Sequence, residues 1–146
     1  PARFDVTLER RLPNVLSVGA LDMVNFGPID SVPPQFTNRN LHVHNATVTL
    51  MRTTAEENVA CAQWIARKLN AHPDAPFTML LPEGGVSELD KPGNAFHDPE
   101  ADRALFGELE RAVAQGTRRR IVRYRHHIND PAFAQAIVEE FRKAMY

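Results

Sequence analysis

An open three-layer α/β domain with a mostly parallel sheet is the fold class this sequence predicts. Three observations carry it. Compact apolar runs and amphipathic stretches follow one another as strand, strand, helix, strand, helix, strand, helix. Two of the helices open on a carboxylate followed by proline, Asp98-Pro99 and Asp130-Pro131, the pairing expected of a cap and a first helical position. Strands that alternate with helices are joined by right-handed crossovers, which makes neighbours parallel, and about four strands are too few to close a ring.

Taken in order, Phe4, Leu8 and Leu12 recur at helical spacing, so a short helix is expected over residues 4–12. Asn14 to Val18 is a short apolar run between Pro13 and Gly19 and reads as a buried strand. Periodicity then fails from Gly19 to Arg39, where Gly27-Pro28 and Pro33-Pro34 mark a long irregular connection. Leu41 to His44 is a second strand, and Thr47 to Thr53 is β-branched enough to leave helix and strand both open.

Thr54-Ala55-Glu56-Glu57 has capping-box spacing, and Val59, Ala62, Ile65, Ala66 and Leu69 form one stripe of a helix ending near Asn70. Phe77 to Leu81, closed by Pro82, reads as an interior parallel strand. The helix from Asp98-Pro99 carries Leu105, Leu109, Ala112 and Val113 and is expected to stop at Gly116. Ile121 to Tyr124 is the next strand, and Phe133, Ile137, Val138 and Phe141 share a face of the last helix. The whole reads as one Rossmann-like domain over residues 1–146.

Composition narrows the function classes. Among 146 residues, 17 Lys+Arg face 18 Asp+Glu, so the net charge of −1 recruits no polyanion and nucleic acid is an unlikely partner. The basic run Arg118, Arg119, Arg120, Arg123 and Arg125 reads as the charged face of an edge strand. No apolar run is long enough to span a bilayer, and the start lacks a secretory core, so a cytoplasmic protein with no membrane partner is expected. The single cysteine, Cys61, suits a reducing compartment and reads as an inert helical thiol.

In an open parallel sheet the ligand crevice lies beyond the carboxyl ends of the strands. The residues just past each apolar run are Gly19, Asp22 and Asn25; His44 and Asn45; Glu83, Gly84 and Gly85; and His126, His127, Asn129 and Asp130. Carboxylates, imidazoles, carboxamides and a glycine pair would thus meet along one edge. His44 or His127 paired with Asp22, Glu83 or Asp130 makes a sensible proton-transfer pair, because a carboxylate fixes the imidazole tautomer and tunes its pKa. The amides of Gly84-Gly85 are candidates for an anionic oxygen, although a plain tight turn explains the pair equally well. Asp130 has a cap role open to it. Five histidines near acids invite a metal, but their spacing does not establish one and no metal ligand is assigned.

Several segments are similar, in order, to one known family. They are Gly19 to Gly27, His44 to Thr54, Leu81 to Ser87, His97 to Asp102 and His127 to Pro131. They resemble the C-terminal part of the uncharacterised Tm-one-like ATP-binding-domain family, whose plant namesake is a tobamovirus-resistance protein. The resemblance implies that this chain is the latter part of the C-terminal domain of a longer two-domain protein. The missing N-terminal domain is then a partner, and ATP is a possible cofactor of the intact protein through that domain. It also implies that Asp22, Asn25, His44, Asn45, Arg52, Gly84, Gly85, His127, Asn129 and Asp130 line a family site.

Two functions stand side by side at this stage. One is an enzyme domain for a small anionic ligand, a nucleotide or a phosphorylated or carboxylated metabolite, with Arg52 and the glycine turn holding it. His44, His127 and Asp22 would be its catalytic groups, and Asn25, Asn45, Asn129 and Asp130 would bind the ligand. The other is a non-catalytic ligand-binding or interaction module between domains or subunits, with a homo-oligomer as the expected assembly.

Overall fold

The computed structural model describes residues 4–145. A short helix, α1 (Asp5–Glu9), leads into β1 (Asn14–Ser17), which pairs in parallel with β5 (Phe77–Pro82); β5 pairs in parallel with β6 (Arg119–Tyr124). The strand order β1-β5-β6 makes β5 the central strand. All six of its residues are buried, which is why Phe77 to Leu81 is continuously apolar apart from Thr78 instead of alternating.

Helices α2 (Ala55–Asn70) and α3 (Pro99–Ala112) cover one face of this sheet. There Ala62, Ile65, Ala66 and Leu69 meet Leu105, Phe106 and Leu109 over Phe77, Met79 and Leu81, with Leu8 of α1 in the same cluster. Helix α4 (Pro131–Met145) covers the other face, seating Phe133 and Ala136 on Leu80 beside Val15 and Tyr124. These are the expected three layers. The capping box of α2 is formed: Thr54 Oγ1 accepts from the Glu57 amide at 3.2 Å, and the Thr54 amide donates to the Glu57 carboxylate at 2.8 Å. Asp98 caps α3 by accepting from the Glu100 and Ala101 amides.

The largest correction concerns the long connection. Residues 19–39 contain β2 (Met23–Phe26) and two 3₁₀ turns, Ile29–Ser31 and Pro34–Phe36. β2 joins β3 (Leu41–Asn45) and β4 (Val48–Arg52) in a second, antiparallel sheet ordered β2-β4-β3. Leu41 to His44 is therefore a strand, as expected, but outside the parallel sheet, and Thr47 to Thr53 resolves as strand. β2 escaped notice because it is short and half exposed, without an apolar run. Helix α1 is shorter than expected because Arg11 turns left-handed at φ 53°. Helix α3 ends at Ala112, where Val113 goes extended and caps back to Leu109, before Gly116 is reached.

The basic run behaves as a structural element. Arg119 is buried and donates to the carbonyls of Leu69, His72, Ala75 and Ala114, stacked over the Phe77 ring. Arg120 pairs with Glu140, and Arg123 pairs with Glu110 and Glu83. Among the described residues no helix is long and apolar enough to cross a membrane.

Candidate functional site

The carboxyl ends of β5 and β6 run into two loops that close on each other. The Gly84 amide donates to the His126 carbonyl at 3.0 Å, and the Ile128 amide returns a bond to the Gly85 carbonyl at 3.0 Å. This approach is why both positions are glycine. A Cβ at Gly84 would lie 2.5 Å from the His127 amide nitrogen; one at Gly85, where φ is +123°, would run into the Asp90 carbonyl oxygen. The Gly85 amide donates to Pro82 within its own turn. Both amides are thus engaged within the protein, and the pair shapes the loops instead of presenting donors to a ligand.

His127 is buried, with both ring nitrogens engaged. Its Nε2 lies 2.8 Å from the Ser87 carbonyl, and its Nδ1 accepts from the Asn129 amide at 3.1 Å. Because Nδ1 accepts, the proton sits on Nε2 and donates to Ser87. Ser87 in turn donates from its hydroxyl to Asp22 Oδ2 at 2.6 Å. Asp22, Ser87 and His127 therefore form one chain that fixes the loop after β5. Asp130 Oδ2 accepts from the His127 amide at 2.8 Å and tightens that turn, and Asn129 bonds Glu88 at 3.0 Å.

Arg52, at the end of β4, is the cation of this region. Its guanidinium donates to the Phe96 and Asp98 carbonyls and to Asp102 Oδ1 at 2.8 Å, and lies 3.6 Å from Asp90 Oδ1. Asp22 is also within its field. One buried guanidinium thus faces three carboxyls. Three negative charges on one positive cannot all be held in a buried site, so protons must stay behind. Burial pushes Asp22 above the usual carboxylate range. It pushes Asp102 up to about 7, with help from Asp90 in hydrogen-bond contact and against the pull of Arg52. Among the described residues Asp90 Oδ1, buried, has no hydrogen-bond partner.

Asp90 and Asp102 of this group line a cleft. The cleft holds about 280 Å³ beyond the ends of β5 and β6, lined by Glu83, Gly84 and Gly85, by Asp90 and Asp102, and by His97, Arg103, Phe106 and Arg123. Among the described residues Arg103 forms no ion pair. Sequence reasoning gave no chemical role to Asp90, Asp102 or Arg103. Their signal was faint: Asp102 lies four residues after the Asp98 cap, on the helix face that turns back toward the strand ends.

The structure brings together Asp22, Arg52, Gly84, Gly85, His127, Asn129 and Asp130. It leaves Asn25, His44 and Asn45 exposed on the antiparallel sheet, where Asn45 bonds only within its own turn, to the Thr47 amide and hydroxyl. Among the described residues no group of three or more metal-binding side chains converges.

Comparison with known proteins agrees with the motif order. Residues 1–145 match the uncharacterised protein family (UPF0261) C-terminal domain. A UPF0261 protein of Rhizobium meliloti (strain 1021) is 52% identical over 140 residues, covering 96% of this chain and 35% of that protein. The ToMV susceptible protein tm-1(GCR26) and the ToMV resistance protein Tm-1(GCR237) of Solanum lycopersicum are each 49% identical over 140 residues, covering 96% of this chain and 18% of each relative. The chain thus spans about a third or less of the length of these relatives. It belongs to the uncharacterised protein family UPF0261 and corresponds to its C-terminal domain.

Proposed function

We propose that this chain supplies one wall of an active site for a small anionic metabolite, phosphorylated or carboxylated, at the carboxyl edge of the parallel sheet. The observation that carries the reading is Asp102 on the wall of an open cleft, held by Arg52 at 2.8 Å, where burial pushes its carboxyl up to about 7. A group poised there both accepts and donates a proton at neutral pH, the property required of a general acid or base. Arg103 lines the same space and offers positive charge to an anionic group, with the His97 ring beside it. The proton-transfer role proposed from sequence for His44 and His127 moves to Asp102. His127 and Asp22 become positioning residues acting through Ser87, and Arg52 holds Asp102 in place.

The test is a binding screen on the longer protein with phosphorylated and carboxylated metabolites, followed by titration of any hit at several pH values. Arg103→Ala weakens binding at least tenfold, and Asp102→Asn abolishes a pH dependence centred near 7. A ligand indifferent to both substitutions overturns the reading.

A further inference from the structure

We infer that the outer edge of β1 and the exposed flank of α4 form one docking surface, occupied by the chain that precedes α1 in the longer family members. That chain adds a strand parallel to β1 and an apolar element beside α4. The argument begins with handedness. From β1 to β5 to β6 the chain steps in one direction across the sheet, and α2 and α3 both lie on the same face. Right-handed crossovers require that arrangement. Leu8 of α1 lies on that face too, immediately before β1. A strand feeding β1 through a helix on that face must, by the same hand, lie on the side of β1 away from β5. That edge is the free one, because β5 occupies the other.

Burial points to the same place. β1 is half-buried where β5 is fully buried. Of the eight large apolar side chains left exposed among the described residues, three, Val138, Phe141 and Met145, lie on α4, and two more, Val6 and Leu12, lie in and just after α1, next to β1 in the chain. The three on α4 repeat at helical spacing on the flank next to the buried stripe of Phe133, Ala136 and Glu140. A helix with so wide an apolar face is built to be covered on two sides. The occupant is available in the relatives, since this stretch makes up 35% of the Rhizobium protein.

Thiol labelling of the longer protein in a Cys61→Ala background tests this. Phe141→Cys, Val43→Cys and Glu139→Cys probe the proposed surface, the antiparallel sheet and the other flank of α4. In this chain Phe141 and Val43 are similarly exposed, at 48% and 54%. The expected result is modification of the residue-141 thiol at least tenfold slower than the other two. On the unsubstituted longer protein, hydrogen exchange at Val15 to Ser17 is expected to be at least tenfold slower than at β2. Equal labelling and fast β1 exchange overturn the inference. Protection that fades on dilution overturns it as well, by assigning the surface to a second copy.

Discussion

At Gly85 the backbone holds φ +123° with the Asp90 carbonyl against the space a side chain would fill. Gly85→Ala therefore combines torsional strain with a backbone collision, and a loss of about 3 kcal/mol is expected by chemical denaturation. Gly93, at φ +89° with open space around it, separates the two terms. Gly93→Ala should cost only the torsional part, about 1 kcal/mol. Arg119 offers a second residue-scale test. Its four carbonyl partners come from the end of α2, the segment after it and the turn before β6. A lysine cannot span them with one ammonium, so Arg119→Lys should destabilise by about 2 kcal/mol.

The same scale fixes the sign of a pH effect. Asp102 binds its proton more tightly folded, near 7, than unfolded, near 3.8. The stability it contributes is complete below the lower value and is lost as pH rises through the upper one. Carboxylates held low by arginine or lysine, such as Glu110 and Glu140, act in the opposite sense. Comparing Asp102→Asn with the parent isolates the first effect. The melting temperature of the variant minus that of the parent should increase from pH 5 to pH 8, and a difference independent of pH would contradict the titration assigned to Asp102.

At the scale of elements, legibility followed burial. β5 and the helices α2, α3 and α4 could be placed from residues alone because each has a strong apolar pattern or a cap that only one conformation uses. β2 has neither: Val24 and Asn25 are exposed, and its partner β4 lies more than 20 residues along the chain. Pairing between sheet partners is a tertiary fact, so a weakly patterned strand leaves little local trace. The site divided in the same way. Gly84, Gly85 and His127 can be placed at the sheet edge from residues alone because the end of a parallel strand is a readable place, whereas Asp90 and Asp102 belong to a loop and a helix whose convergence on Arg52 depends on the fold. His44 and Asn45 were grouped with them only because β3 was assigned to the wrong sheet.

Across the whole molecule, two sheets of unequal burial imply unequal protection. The central strand β5 is hydrogen-bonded on both sides and buried on both faces, so its amides should exchange only on global unfolding. The β2-β4-β3 sheet exposes Val24 and Val43, and its outer strands should exchange through local opening at least tenfold faster. Uniform protection across both sheets would mean that they unfold as one cooperative body.

The antiparallel sheet sits inside the connection from β1 to α2, which a plain crossover would make far shorter. Its turn at Asn45 to Thr47 projects into solvent and bonds only to itself. That turn is therefore a natural insertion point. An epitope or a fluorophore-binding peptide placed between Ala46 and Thr47 should leave the parallel sheet and its cleft undisturbed, giving a handle on the folded protein away from both the carboxyl edge and α4.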